Sequence, residues 1–238
     1  MSVVLWSVAA VGQTRTPSQE ELLTWKDCGT TCGASAGSGA SAYGTETLVS
    51  SIDLDGVSAE FSLNPKDPYG NFYWYGTLPQ PASSTVIDGR YVEYLYSIYI
   101  PSTYGTSWHA IEWGVSVRNN GMWWRSAYQL SKNSGFRFYD PSKKAWISTG
   151  IALYNFTAGK WHTVRVRSRL HNTSSNHSIE HQFIEIDGLR KTLTSKSNAA
   201  VKDGSTSNSY KASFQLDGEK LPMPYSVYFD KMKVTTWF

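Results

Sequence analysis

Short stretches of alternating apolar and polar residues recur along most of this chain, and Gly, Pro, Asn or Asp separates them. A period of two is that of a β-strand with one buried face. About a dozen such stretches with few or no long helices between them predict an all-β fold, a two-sheet antiparallel β-jelly roll or sandwich. The predicted strands are Thr47 to Ile52, Ser58 to Leu63, Phe72 to Leu78, Tyr91 to Ile100, Ala110 to Val117, Met122 to Leu130, Gly135 to Tyr139, Lys144 to Ser148, Trp161 to Arg169, His181 to Ile186, Tyr210 to Leu216 and Tyr225 to Thr235.

Size and charge limit the classes of function. The 238 residues suit one large all-β domain, and 40% hydrophobic residues allow a sizeable core. The net charge of +3 is spread thinly, which argues against a nucleic-acid partner. No apolar run reaches the length of a membrane span, so we expect no membrane partner and a soluble monomer. Three N-x-[ST] triplets are compatible with a secreted, extracellular glycoprotein: Asn155, Asn172 and Asn176.

The first part of the chain is expected to belong to the same domain as the rest. Residues 1–43 precede the first clear strand pattern, and this segment is too short for an independent core. Ser2 to Ala9 reads either as a first strand or as the tail of a signal peptide. Ser18 to Leu23 reads as a short helix. We therefore predict a strand and a long loop packed onto a jelly-roll body of residues 44–238.

The long loop carries the two cysteines of the chain, Cys28 and Cys32, among Gly, Ser, Ala and Thr residues. A disulfide across the three intervening residues is geometrically feasible in such a loop. Zinc would need more ligands than this pair supplies. The sequence thus predicts a small loop-closing disulfide.

The stretch from Trp108 to Gln129 is the predicted site. It contains four of the ten tryptophans, and a turn at Asn119, Asn120 and Gly121 divides it into two adjoining strands. Aromatic rings beside polar groups on a pleated surface suit a sugar chain, because rings stack and polar groups bind hydroxyls. The candidate catalytic residues are Glu112, His109, Arg125 and Tyr128. The candidate substrate-binding residues are Glu93, Trp113, Ser116, Trp123, Trp124 and Gln129.

Strand alternation assigns these side chains to faces. His109, Ile111, Trp113 and Val115 are expected to face the core. Glu112 and Ser116, together with Glu93 from the preceding strand, are expected to line the opposite, concave face. Trp123 and Trp124 are adjacent and must point to opposite faces, so one is predicted to be core and the other a stacking platform.

Glu112 is the most suggestive of these residues. It lies between apolar neighbours on a predicted central strand, and it must face solvent or a polar groove because burial of an unpaired acid is costly. It reads as a general acid/base or an acceptor for sugar hydroxyls, or else as a structural carboxylate paired with Arg125 or a tyrosine. Glu93 is a candidate partner, since two carboxylates roughly 5 to 9 Å apart would suit glycoside hydrolysis. His109 reads as a base or substrate-binding residue, or as an ordinary hydrogen-bonding histidine.

We expect that the protein requires no cofactor. Acidic residues near the two ends of the predicted body do, however, suggest a structural calcium ion. Asp230 could join Asp53 or Asp55, because Ca²⁺ prefers oxygen ligands. The alternative is turn chemistry, since Asp-x-Asp-Gly is itself a turn signal.

Three later segments, GKWHTVRVRSR, QFIEIDG and PYSVYFDKMKV, resemble the concanavalin A-like lectin/glucanase superfamily. The resemblance implies a jelly roll with a ligand groove. GTETLVSSIDLDGVSAEFSL, YVEYLYSIYI, HAIEWGVS and MPYSVYFDKMKV are also similar to secreted single-module jelly-roll proteins of soil microbes. Those proteins often carry A-I-E-x-D-x-N on the central strand, where this chain has Gly114 and Ser116 in place of Asp and Asn.

A looser similarity connects the chain to jelly-roll polysaccharide lyases. Those enzymes use a Tyr or His base, an Arg, and a Gln, Asn or His that binds the substrate carboxylate. His109, Arg125, Tyr128 and Gln129 are residues of the right types. Two hypotheses follow for a polysaccharide or oligosaccharide partner: an enzyme, either a lyase on a uronate polymer or a hydrolase, which we favour, and a non-catalytic binding module or lectin.

Overall fold

A computed structural model describes residues 15–20, 26–27, 42–77, 87–104, 106–152, 156–202, 204 and 207–237. The predicted disulfide of Cys28 and Cys32 and the Ser2 to Ala9 segment lie outside these residues and stay predictions. In the described part, one 3₁₀ turn, Ser102–Tyr104, accompanies the strands. No helix in this part is long and apolar enough to cross a membrane.

The described strands follow the predicted pattern closely, and each predicted strand overlaps an observed one. Their bounds are β1 Arg15–Glu20, β2 Lys26–Asp27, β3 Ala42–Val49, β4 Ser58–Pro65, β5 Asn71–Thr77, β6 Tyr91–Tyr99, β7 Trp108–Asn119, β8 Met122–Ser131, β9 Gly135–Asp140, β10 Ala145–Ile151, β11 Trp161–Asn172, β12 His177–Ile186, β13 Leu189–Ala199, β14 Val201–Lys202, β15 Ser209–Gly218 and β16 Tyr225–Trp237.

These strands form two antiparallel sheets of eight strands each within the described residues. Sheet A has the order β13-β12-β11-β6-β16-β4-β3, with β1 also paired to β16. Sheet B has the order β10-β9-β8-β7-β15-β5-β2, with β14 also paired to β8. Strands distant in sequence are neighbours in both sheets, so the predicted two-sheet antiparallel jelly roll is confirmed.

Aromatic side chains from both sheets fill the core between them. Phe61 of sheet A lies 5.1 Å from Trp74 and 4.9 Å from Phe214, both of sheet B, measured between ring centroids. Phe229 of sheet A lies 4.4 Å from the Phe214 ring in an edge-on arrangement. Rings of this size contribute much of the buried apolar area of a core. This packing holds the sheets together and turns their other faces outward.

The turn between β7 and β8 fixes the register of the predicted site. Asn120 and Gly121 both have positive φ angles, 49° and 73°. Two such residues make the tight hairpin turn that suits the twist of paired strands. This turn confirms the predicted hairpin and places Glu112 opposite Gln129 and Ser116 opposite Arg125.

Two parts of the sequence prediction differ from the structure. The sequence predicts a short helix from Ser18 to Leu23. The first residues of this segment lie instead in strand β1, which pairs with residues 233–237 of β16. Because β4 pairs only with Tyr225 to Phe229, β1 covers an edge of β16 that would otherwise be open. The second difference is β13, whose largely polar sequence lacks the alternation that marks a half-buried strand.

Candidate functional site

The outer face of sheet B, which points away from sheet A, carries the polar half of the predicted site. On β7, Ile111 and Trp113 lie in the core, whereas Glu112 and Ser116 point to the outer face, as alternation predicts. Glu112 lies opposite Gln129 of β8 and Gln215 of β15. Three adjacent strands therefore contribute to one polar surface.

Strand β8 divides its residues in the same way. Trp123, Arg125 and Gln129 share the outer face, and Trp123 is half-buried while Trp124 is 1% exposed. The prediction that one of the adjacent tryptophans is core and the other lies at the surface is therefore confirmed. The assignment of Trp113 and Trp124 to substrate binding is wrong, because both indoles are enclosed between the sheets.

Tyr128 also points into the core, so its predicted place in the groove is wrong. Its hydroxyl lies 2.7 Å from Ser168 Oγ and 2.8 Å from His181 Nδ1. Ser126 Oγ adds a contact of 2.8 Å to Ser168 Oγ. These four side chains form a buried polar cluster that connects the two sheets, and the Tyr128 ring is only 1% exposed.

Glu93 lies on the outer face of sheet A, on the opposite side of the sandwich from Glu112. Its carboxylate accepts hydrogen bonds from Arg165 at 2.9 Å and from Arg167 at 2.6 Å. Burial alone would raise the pKa of Glu93, but the two arginines outweigh burial and hold the pKa below its ordinary value. The predicted pairing of Glu93 with Glu112, and its role in the same groove, are therefore wrong.

His109 starts β7 at one end of the sandwich. Its ring meets that of Tyr69 edge-on at 5.3 Å, and its Nδ1 lies 3.8 Å from Glu219 Oε1. Lys132 Nζ lies 3.9 Å from the same carboxylate. His109 thus belongs to a separate cluster at the sandwich end, and not to the polar row around Glu112.

A row of polar side chains crosses the outer face of sheet B. Arg137 donates to Gln129, and Gln129 donates to Glu112 Oε1 at 2.6 Å. Asp217 of β15 lies on the same face as Glu112, two residues along from Gln215, the residue that pairs with Glu112. Gln215 donates to Asp217 Oδ1 at 2.7 Å. We call these five residues the carboxyl row.

The sequence interpretation missed Arg137, Gln215 and, above all, the second acid of the carboxyl row, Asp217. It lies on β15, whose pairing with β7 joins segments far apart in the sequence. The signal that could have found it is the alternation of YKASFQLDG, which sets Asp217 on the polar face of the strand with Lys211, Ser213 and Gln215.

Burial governs the titration of the two acids. It raises the pKa of Glu112 well above its ordinary value, and the nearby charge of Asp217 raises it further. Burial likewise raises the pKa of Asp217 to about 6, against the opposing effect of the Gln215 hydrogen bond.

A small depression lies beside the carboxyl row. Its lining includes Glu112 and Gln215 of the row, Tyr73 of β5, and Arg125 with Ala127 of β8. Its edges therefore offer a phenol, an amide and a guanidinium, groups that bind hydroxyl and carboxylate oxygens.

Gly114 lies between Ala127 and Ser213 next to this depression. A Cβ atom added at Gly114 would lie 2.6 Å from the main-chain oxygen of Ser126 and 2.8 Å from Ala127 Cα. Strand β8 thus approaches β7 too closely here for a side chain.

Basic and aromatic side chains surround the depression. The Arg125 guanidinium lies 5.6 Å from the Trp123 ring centroid and 4.9 Å from that of Tyr139. Lys211 lies 4.6 Å from the Tyr75 ring centroid. Such contacts hold cations in place over aromatic faces and leave part of their charge available to a ligand.

Tyr73 lies next to these cations on β5. Its ring stacks on that of Tyr75 with centroids 6.2 Å apart. Burial raises the pKa of Tyr73, although a hydrogen bond with Ser213 and the charge of Arg125 oppose this effect. At neutral pH the phenol is therefore a hydrogen-bond donor and a source of a proton.

The three aspartates proposed for calcium have other partners in the structure. Asp230 accepts a hydrogen bond from the Leu54 main-chain N–H at 2.7 Å, and Asp53 accepts one from Gly56 at 2.6 Å. Asp55 lies 3.7 Å from Lys231. Within the described ranges, no cluster of three or more His, Cys, Asp or Glu residues could hold a metal ion. The calcium hypothesis stays a prediction. The hydrogen bond from Gly56 to Asp53 is the turn contact expected of an Asp-x-Asp-Gly sequence.

Comparison with known proteins gives structural neighbours only. No family model matches the chain, and no curated protein matches its sequence. Its structure resembles alginate lyase vAL-1 from Chlorella virus with a TM-score of 0.50 and 9% identity, over 82% of this chain and 92% of that one. Lectin I-B4 from Griffonia simplicifolia gives a TM-score of 0.49 and 8% identity, over 82% and 92%. Arcelin-5 from Phaseolus vulgaris gives 0.49 and 9%, over 94% and 99%. At such identities the likeness concerns the fold alone, which is a two-sheet antiparallel jelly roll.

Proposed function

We propose that this chain binds an acidic polysaccharide along the outer face of sheet B. The observation that carries the proposal is the depression beside the carboxyl row, which Arg125 and Tyr73 border together. Stacking on half-buried rings and charge-assisted hydrogen bonds from a guanidinium are the contacts that a uronate sugar requires.

The charge of this face supports an anionic ligand. Arg118 and Arg125 flank the Trp123 ring, Lys211 lies over Tyr75, and Arg137 ends the carboxyl row. Burial raises the pKa of both acids of the row and so opposes their ionisation. The basic groups therefore exceed the ionised acids, and the surplus favours a polyanion.

Retention in affinity gels tests the binding proposal. We expect gels that contain a polyuronate to retard the protein, and gels that contain a neutral glucan to retard it less. Added salt should weaken the retention, because screening reduces interactions between exposed charges. Equal retardation by both polymers, unaffected by salt, would contradict an acidic ligand.

A second candidate function is cleavage of the bound polymer by β-elimination. In that reaction, a base such as solvent hydroxide takes the proton next to the uronate carboxylate, the electron pair of that C–H bond forms a C=C bond, and the C–O bond to the departing sugar breaks with its electron pair on the departing oxygen. The position of Tyr73 favours it, since a protonated phenol beside Arg125 could protonate the departing oxygen. The fold shared with an alginate lyase makes a uronate polymer the natural substrate to test.

The elimination candidate has a simple test with a matched control. The Tyr73→Phe variant removes one hydroxyl, and we expect it to lose formation of the ultraviolet-absorbing unsaturated product while it still binds the polymer. The Tyr75→Phe variant makes the same change on the neighbouring, stacked ring of β5 and should keep the activity. Equal activity of both variants would exclude Tyr73 as the proton donor. Binding without any unsaturated product from the unaltered protein would leave a binding module.

A further inference from the structure

Glu112 of β7 and Asp217 of β15 lie on the same outer face of two paired strands, with Glu112 opposite Gln215 and Asp217 two residues further along β15. Two ionised carboxylates on adjacent positions of one face repel each other, which favours a state in which one of the two groups keeps a proton. Both residues are 9% exposed, and water therefore solvates their charges poorly. The two residues form one titrating unit and not two independent acids.

We propose that Glu112 and Asp217 share a proton at neutral pH and that this shared proton makes Asp217 a specificity-determining residue, because it keeps the outer face of sheet B acceptable to an acidic sugar. The proposal rests on the binding function proposed above and extends it to the charge of the ligand. With the proton, the pair bears at most one negative charge beside the depression. Without it, two adjacent negative charges would repel the carboxylate of a uronate.

The neighbours of the pair are mostly neutral donors. Gln129 donates to Glu112, and Gln215 donates to Asp217. Arg137 reaches Glu112 through Gln129 and not directly. An amide stabilises a single negative charge by one hydrogen bond, but two adjacent carboxylates would need a cation in direct contact with both.

The other titratable and charged groups that face the pair come from four strands. They are Arg125 of β8, Arg137 of β9, Tyr73 of β5 and Tyr225 of β16. Tyr225 donates its hydroxyl to the main-chain oxygen of Asp217 at 3.0 Å, so this phenol does not compensate the carboxylate directly. The two arginines lower the cost of one charge on the pair. Burial raises the pKa of Asp217 to about 6 and that of Glu112 well above its ordinary value, in agreement with the loss of a first proton near pH 6.

The proposal predicts how affinity depends on pH. A uronate polymer stays ionised above about pH 5, so changes in its affinity above that pH report charges on the protein. As the pH rises through about 6, the pair goes from neutral to singly charged. We expect the affinity for the polyuronate to fall about three- to tenfold over this step. This is the effect of one negative charge added to the pair, several ångströms from the ligand at a partly exposed site. The affinity for any neutral glucan should not follow this step.

The experiment compares the unaltered protein with the double variant Glu112→Gln and Asp217→Asn, which keeps the shape of the pair and removes both titrating groups. Calorimetric titrations with a polyuronate at about pH 5 and about pH 8 should show the fall in the unaltered protein and no fall in the double variant. The control is Glu185→Gln, which removes a carboxylate on the outer face of sheet A that pairs with Arg190. This control should retain the pH dependence of the unaltered protein.

Infrared difference spectroscopy on the ligand-free protein separates this proposal from the binding proposal. We expect a protonated-carboxyl C=O band at neutral pH in the unaltered protein, and its absence in the double variant. A missing band in the unaltered protein, the same band in the double variant, or an unchanged pH dependence of affinity in that variant would overturn the shared proton. Failure of every acidic polysaccharide to bind would instead overturn the proposed function, whatever the band shows.

Discussion

Gln129 donates its side-chain amide to Glu112 at 2.6 Å, and this hydrogen bond joins the two strands of the hairpin that the sequence singled out. The contact fixes Glu112 in the middle of the carboxyl row. Glu112 is buried, and burial raises its pKa well above the ordinary value of a glutamate. We therefore interpret it as part of a proton-sharing pair and not as a free general base.

The first prediction concerns stability and pH. The pKa values of Glu112 and Asp217 are higher in the folded state than the roughly 4 of an unfolded chain. Between about pH 4 and about pH 6 the folded state binds more protons than the unfolded state, so the free energy of unfolding falls as the pH rises. Urea denaturation across this range measures the fall. The double variant Glu112→Gln and Asp217→Asn should show a smaller fall, and an identical slope in both proteins would contradict the raised pKa values.

The second prediction concerns Glu93. Replacement by Gln would leave Arg165 and Arg167 without their shared carboxylate, and we expect a loss of about 2 kcal/mol in the free energy of unfolding. Polysaccharide binding should not change, because Glu93 lies on the other sheet. Denaturation curves measure the first effect and affinity gels the second. Full stability with lost binding would show that the outer face of sheet A holds the ligand.

The third prediction concerns Tyr128. The Tyr128→Phe variant removes the hydroxyl that contacts Ser168 and His181, and should cost about 1 to 2 kcal/mol of stability. We expect binding, and any elimination activity, to persist below the melting temperature. Loss of activity in a folded Tyr128→Phe variant with normal binding would restore Tyr128 as a catalytic residue.

Alternation along single strands explains how much of this site was predictable. It placed Glu112 and Ser116 on one face and separated Trp123 from Trp124, because side-chain direction depends only on position within a strand. The same rule groups Tyr128 with Trp124, so the parity of β8 already pointed Tyr128 to the core.

Pairing between distant strands was beyond the reach of the sequence. Asp217 joins Glu112 only because β15 lies next to β7 in sheet B. Glu93 is separated from Glu112 because β6 belongs to sheet A, although β6 and β7 are consecutive in the described chain. Neither assignment follows from local periodicity, since the order of strands in a sheet depends on long-range packing.

The fourth prediction concerns Gly114. A Gly114→Ala variant would bring its methyl group against the Ser126 main-chain oxygen and Ala127, and we expect about 1 to 3 kcal/mol of destabilisation. Binding should weaken as well, because β8 must shift and Arg125 and Ala127 with it. The Ser116→Ala variant on the same face of β7 is the matched control and should be tolerated. An unperturbed Gly114→Ala protein would contradict the close approach of the two strands.

The most direct test of the account compares two arginines on opposite faces. Arg125→Gln removes a cation from the edge of the depression, whereas Arg190→Gln removes one from the exposed outer face of sheet A. In calorimetric titrations with a polyuronate at low salt, the account predicts that Arg125→Gln weakens binding about tenfold or more, the loss of one charge-assisted contact. Arg190→Gln should bind as the unaltered protein does. Equal affinities of the two variants, or a larger loss in Arg190→Gln, would contradict the assignment of the ligand to the outer face of sheet B.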